Sequence, residues 1–333
     1  MEHTLLQDRK LPDLSLALNG EEMRIPLSEA LRHHDGFACD LIRVEPRVLK
    51  HTPGKRCVIE YRLFTRAAPE RPQRLIAKRY RKERGHAIFE NLRSLWLAAS
   101  LPGVSEPRLR MPEPMAYLPE LKMILQRAAP GRQFSEFAAE EDLTDAVRRI
   151  AINLAGLHNL TVTRGERKTL PEHLEKYCRP GPQALSAACP QLEPLTTNLV
   201  ERILADESLQ RAPLVPAHGD LNLAQIFITN EAAYFIDFDG FCLTHAALDL
   251  GNFLVTLQTR FGEASMEMEK IFLKAYRVYA AAENLAGLRV YQAFAYLRRA
   301  MIAFRLQAEP DWQAHVRRLL EKGISMLKSE YAE

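Results

Sequence analysis

At 333 residues, with 47% apolar and 26% charged residues, the chain has roughly two domains' length and ordinary globular composition. That excludes a disordered, collagen-like or disulfide-stapled chain; no run approaches the ~18 apolar residues of a membrane span, and the charged start MEHTLLQDRKLPD lacks the apolar core of a signal peptide. The net charge of +3 divides unevenly, with 23 Lys+Arg against 16 Asp+Glu over residues 1–129 (+7) and 22 against 26 over residues 130–333 (−4).

A basic first part suits a phosphate-bearing partner or a merely solvated surface. The basic residues form no long run and aromatics are 8%, which argues against dedicated nucleic-acid binding. The cysteines, Cys39, Cys57, Cys178, Cys189 and Cys242, are odd in number and contain no CxxC pair. This points to a reducing, cytoplasmic setting without a zinc site or disulfide framework. Nothing in the composition speaks to oligomeric state.

In chain order, residues 1–40 are ambiguous, reading as a hairpin around Asn19-Gly20 or as a strand and a helix. From residue 46, PRVLKHTPGKRCVIEYRLF predicts two strands joined by His51–Lys55. In the second, Ile59, Tyr61 and Leu63 alternate with Glu60 and Arg62. Residues 67–73 read as a Pro-containing turn, residues 74–80 as a third strand, and residues 83–99 as a helix with Ile88, Leu92, Leu95 and Ala99 on one face. Residues 115–127 read as another hairpin. The first 127 residues therefore predict an antiparallel sheet with one helix.

Residues 128–134, AAPGRQF, read as a linker. An amphipathic helix follows, with Leu143, Val147, Ile150, Leu154 and Leu157 on one face. Residues 179–183 form a loop, and residues 264–306 return to helical spacing. Between them lies one hairpin, QIFITNEAAYFID, over residues 225–237. The expectation is a mostly helical second lobe, residues 128–333, with a single embedded hairpin.

The chemistry concentrates in residues 217–254. Asp220, Asp237, Asp239 and Asp249 sit in or beside apolar segments, where a carboxylate is costly unless it is paired or holds a metal. Asp237 and Asp239 share a side of an extended segment. With Asp220 and the Gln225 side-chain oxygen, they supply the hard oxygens that Mg²⁺ prefers.

The order His218-Gly219-Asp220, then Gln225, a hairpin, Ile236-Asp237-Phe238-Asp239 and Asp249-Leu250-Gly251 resembles the aminoglycoside phosphotransferase and choline kinase-like family. These are small-molecule kinases of the protein-kinase-like fold. The resemblance runs from about residue 46 to about 305. It implies an α+β bilobal fold and ATP-dependent (or GTP-dependent) transfer of the γ-phosphoryl group to a hydroxyl of a sugar, aminocyclitol or amino alcohol. Asp220 would be the base. Gln225 and Asp237 would hold Mg²⁺, and Asp239 would join them or support a second ion. Lys78 would bridge the α/β-phosphates, steadied by Glu90; a surface Glu90 paired with Arg93 is the alternative. Adenine would lie near residues 124–128, at Gln126 and Ala128. His218 and Asp249 would be structural supports.

The chain departs from the family at three places. Gln225 stands where most members have Asn, the Thr52–Lys55 loop has a single Gly, and Thr244-His245-Ala246 replaces a common Gly-Asp-Pro. The acceptor is less legible. Glu140-Glu141-Asp142 could attract a polycation, but acids commonly open helices. Few aromatics offer a choline cage, so a neutral or anionic sugar-like or cyclitol hydroxyl is the expectation. A protein Ser/Thr kinase and a nucleotide-binding pseudokinase or regulator are the other readings.

Overall fold

The computed structural model describes residues 8–34, 40–101, 107–138, 140–210 and 212–328. The chain forms two compact units, Met1–Pro102 with Met111–Pro130, and Gly103–Arg110 with Gly131–Glu333.

The first unit contains helices α1 (Leu14–Ala17) and α2 (Gly20–Leu31), strands β1 (Leu41–Thr52), β2 (Arg56–Thr65) and β3 (Ala68–Tyr80), helix α3 (Arg84–Ser100), and strands β4 (Pro114–Leu118) and β5 (Met123–Arg127). The strands form an antiparallel sheet in the order β1-β2-β3-β5-β4. Alternation along β2 turns Cys57, Ile59, Tyr61 and Leu63 toward Leu14, Met23, Leu27 and Leu31 of α1 and α2, in one buried core. The Tyr61 hydroxyl donates to the Ala17 carbonyl at 2.6 Å and joins sheet to helix. Cys57, Cys178, Cys189 and Cys242 are buried free thiols; Cys39 lies outside the described residues.

Two local expectations change. Of the two readings of residues 1–40, the one with a helix holds at Gly20, where α2 begins, but a short helix, α1, stands where it had a strand. The Asn19 side chain accepts from the amides of Glu21 and Glu22 and donates to the Glu22 carboxylate, so it acts as an N-cap. Among the described residues, the first unit has three helices rather than one. The Pro-containing segment 67–73 is mostly strand. Beside it β5 pairs only from Leu75 onward, so Pro69 and Pro72 occupy a stretch unpaired on that side, where a missing N–H is tolerated.

The second unit contains β6 (Arg132–Gln133), α4 (Thr144–His158), α5 (Leu170–Tyr177), α6 (Pro182–Ala188), α7 (Glu193–Leu204), β7 (Leu214–Ala217), β8 (Ile226–Ile228), β9 (Ala233–Phe235), β10 (Cys242–His245), α8 (Ala247–Phe261), α9 (Ser265–Tyr279), α10 (Leu288–Leu306) and α11 (Trp312–Met326). The expected hairpin is β8–β9, extended by β6 into a three-stranded sheet. It is not the sole β feature: β7 and β10 pair antiparallel and hold the chain on either side of the hairpin together. Residues 107–110 also pack here. The Asn153 side chain accepts from the Arg110 amide at 2.5 Å and donates to its carbonyl at 3.1 Å. Among the described residues, no helix is long and apolar enough to cross a membrane.

The Asp8 carboxylate accepts from the Gly54 amide at 2.7 Å and faces His51 Nε2 at 2.9 Å. The Gly54 and Lys10 amides, aided by His51, lower its pKa from 3.8 to about 2. The folded value lies below the ordinary one. Its contribution to stability is therefore present above pH ~4 and lost as the pH falls through about 2. Asp8→Asn should lower Tm at neutral pH, with the gap to wild type narrowing from about pH 4 to pH 2. Thermal melts across that range would refute the linkage if the gap stayed constant.

Candidate active site

In the first unit, cross-strand registers put Lys78 on one sheet face with Val58 and Ile124, away from α1 and α2. Lys78 is buried there, and Gln126, also buried, shares that face. Arg79 points the opposite way, where its guanidinium meets Asp13 at 2.9 Å. Adjacent residues of one basic run thus have opposite environments. Glu60 lies on the Lys78 face with its carboxylate on Arg74 at 2.6 Å and Arg47 at 2.8 Å. Burial alone would raise its pKa, but the two arginines outweigh it and the net shift is downward.

Glu90 is half-buried on α3, while Glu83 pairs with Lys122 at 2.6 Å and is thereby occupied elsewhere. The Ala128 amide, one candidate for nucleotide recognition, donates to the Arg74 carbonyl over a long 3.4 Å. The Thr52–Lys55 loop is a tight turn, with the Lys55 amide donating to the Thr52 carbonyl at 3.0 Å.

In the second unit, hydrogen bonds link Asp249, His218 and Gln225 through the chain beside Asp220 and Asp237. Asp249, fully buried in the first turn of α8, accepts from the amides of His218 at 2.6 Å and Gly219 at 2.9 Å. The His218 ring donates through Nε2 to the Ile236 carbonyl at 2.8 Å, and its Nδ1 is buried without a partner. The Ile236 amide donates to the Gln225 carbonyl at 2.9 Å. These bonds set Asp237 beside Gln225, although the hairpin separates them in sequence. Gly219 has φ +78°, and a Cβ there would overlap the Gly240 carbonyl oxygen, so glycine is required.

Asp237 adopts a left-handed backbone, φ 66° and ψ 51°, rare for a residue with a side chain and costing about 1–3 kcal/mol. It is half-buried, as is Asp239. Gln225 is buried, and its side-chain oxygen accepts from the Asn222 amide at 3.0 Å. A carbonyl oxygen has two lone pairs, and this bond uses one of them. No group of three or more His, Cys, Asp or Glu forms a metal cage among the described residues. The oxygens of Gln225 and Asp237 fit Mg²⁺, which is commonly held by one or two carboxylates with phosphates and water completing its shell.

Asp220 looks into a cavity of about 470 Å³ between α8, α10 and α11. Sequence reasoning missed its partner: the Arg298 guanidinium meets the Asp220 carboxylate at 2.5 Å. Arg298 also lies over the Tyr177 ring, 4.4 Å from the centroid. The Tyr177 hydroxyl donates to the Gly219 carbonyl at 2.7 Å. Burial, with Asp220 adding and Arg298 opposing, pushes that phenol upward. The available signal was Arg298-Arg299, two charges inside the apolar run of a long helix. His158 was missed too; its Nε2 approaches Asp249 at 3.4 Å and its Nδ1 meets the Tyr276 hydroxyl at 2.6 Å.

The Glu140–Asp142 acids are not an open anionic groove. Glu141 accepts from the Ala138 amide and pairs with Arg132, and Asp142 accepts from the Thr144 amide at the start of α4. The Ala138 and Thr144 amides are the leading causes that hold these carboxylates below their usual range.

The chain belongs to the phosphotransferase enzyme family, whose model matches residues 62–294. No curated protein matches it. Among solved structures, it resembles a choline/ethanolamine kinase family protein from Mesorhizobium loti, with a TM-score of 0.58 at 16% identity over 93% of this chain and 95% of that one. A choline kinase from Cryptosporidium parvum Iowa II gives 0.61 at 12% identity, covering 92% and 95%. Amicoumacin kinase, in complex with AMP-PNP, Ca²⁺ and Ami, gives 0.59 at 15%, covering 83% and 87%. At such identities the likeness carries the fold: α+β and protein-kinase-like, with an antiparallel sheet in the first unit and mostly helices in the second.

Asp249→Ala would leave two buried amides without their acceptor, at about 1–3 kcal/mol each. Denaturant unfolding should show a loss of about 2–6 kcal/mol. Wild-type stability in the variant would contradict the anchoring role.

Proposed function

We propose that this phosphotransferase moves the γ-phosphoryl group of ATP, or GTP, to a hydroxyl of a small molecule. The observation that carries this is the position of Asp220. It faces a ligand-sized cavity from a loop held by Asp249, and the same network carries Gln225 and Asp237.

In this reading Asp220 accepts a hydrogen bond from the acceptor hydroxyl, orients its oxygen for in-line attack, and takes its proton. Arg298, paired with Asp220, fixes the direction of the carboxylate. Gln225 and Asp237 hold Mg²⁺, which when bound neutralises phosphate charge, and Asp239 joins them or supports a second ion. The Ca²⁺ and AMP-PNP named with amicoumacin kinase support a metal–nucleotide partnership here.

Lys78 binds the α/β-phosphates and Glu90 steadies its ammonium. The buried position of Lys78, opposite the α1–α2 core, supports that role. Gln126 and Ala128 lie at the adenine position. His218 and Asp249 support the loop without reacting. The basic balance of the first 129 residues suits a polyanionic nucleotide.

Purified protein with ATP, Mg²⁺ and an acceptor library should release ADP in an acceptor-dependent manner. EDTA should abolish release, and Asp220→Asn should reduce it about 10²–10⁴-fold while the variant stays folded. Unchanged turnover in Asp220→Asn would refute the base assignment. ATP binding without turnover on any acceptor would favour a nucleotide-binding regulator, and transfer to protein substrates alone would favour a protein kinase.

A further inference from the structure

The cavity at Asp220 is lined by two arginines, Arg298 and Arg299, and two carboxylates, Asp220 and Glu309. Asp220 is already matched by Arg298, so that pair leaves no net charge. Beside it on α10, Arg299 also lines the cavity, and no hydrogen-bond or carboxylate partner is found for its guanidinium among the described residues. Burial depresses the Arg299 pKa; the Tyr296 phenol opposes this and the Arg298 charge adds to it. The other acid on the wall, Glu309, is exposed to solvent.

Asn252 on α8 lines the same cavity, is 5% exposed, and its Nδ2 has no hydrogen-bond partner. Buried donors are ordinarily satisfied by protein, water or ligand. The wall therefore carries one guanidinium, that of Arg299, without a carboxylate partner among the described residues, while the unpaired Asn252 Nδ2 lies behind it, withdrawn from solvent.

Cationic acceptors call for the opposite arrangement, either carboxylates or an aromatic cage. The aromatic residue on the wall among the described ones, Trp312, packs on Phe304 at 5.8 Å.

We propose that the acceptor is a hydroxylated anion, carrying a carboxylate or phosphate that Arg299 binds while its hydroxyl meets Asp220. This rests on the phosphotransfer reading above and narrows it. Guanidinium forms two parallel bonds to either kind of oxyanion, so carboxylate and phosphate share one recognition chemistry.

The test uses the full chain with Mg²⁺ and ATP, and compounds matched except in charge: gluconate and glucose 6-phosphate, neutral glucose, and cationic glucosamine. Calorimetry with these and with inorganic phosphate reads binding, and ADP release reads turnover. At least one anion should bind about tenfold or more tighter than glucose, and glucosamine should bind weakest. Arg299→Gln should weaken anion binding about 10- to 100-fold and leave glucose binding nearly unchanged. Arg299→Lys keeps the charge and should retain part of the preference, which separates lost recognition from lost folding.

Gluconate against glucose 6-phosphate distinguishes carboxylate from phosphate acceptors. Equal or tighter binding of glucose or glucosamine overturns the proposal, as does an anion preference that survives Arg299→Gln. Anion binding that depends on Arg299 without any Asp220-dependent turnover would uphold the subsite and overturn the phosphotransfer reading. Turnover confined to neutral or cationic acceptors would do the reverse.

Discussion

Two successive backbone amides, those of His218 and Gly219, donate to one buried carboxylate, Asp249. The second unit's candidate chemistry depends on that arrangement. A carboxylate withdrawn from water is costly unless charge-assisted hydrogen bonds replace its hydration. Asp249 has the two amides, the His158 ring nearby, and a position in the first turn of α8, where the helix dipole favours negative charge. The carboxylate in turn dictates the path of the chain. Gly219 must take a left-handed conformation against the Gly240 carbonyl, and Asp220 then emerges toward the cavity.

His218 extends the same constraint to the segment after the hairpin. Its Nε2 bond to the Ile236 carbonyl, and the Ile236 amide bond to Gln225, join three stretches of chain that the β8–β9 hairpin and the β7–β10 ladder bring together. Asp237 follows directly, in a backbone conformation that costs energy and persists because its neighbours on both sides are held.

In the first unit, sheet alternation is the organising device. Lys78 and Arg79 are adjacent, yet one occupies the face away from the α1–α2 core and the other reaches Asp13 before α1. A one-residue slip of β3 would exchange them, and the apolar contacts of Leu75 and Ala77 with the helical core oppose that slip.

Much of this was legible because it is local. The β2 alternation, the α4 stripe, the hairpin after Gln225 and the spacing of Asp220, Gln225, Asp237 and Asp239 all follow from nearest-neighbour periodicity and short motifs. At Asn19-Gly20 local signals conflicted; the side chain of Asn19 caps a helix because Glu21, Glu22 and the apolar 3–4 spacing that follows support one. The Arg298–Asp220 pair spans 78 residues and the Tyr177–Gly219 bond 42. The sequence by itself determined most of the helices and strands and which residues carry hard oxygens, but not the fold of residues 1–40, the strand over 67–73 or the β7–β10 ladder. The tertiary structure decided which charges meet, because the charge of a cavity wall depends on side chains from α8, α10 and α11 whose proximity no local pattern encodes.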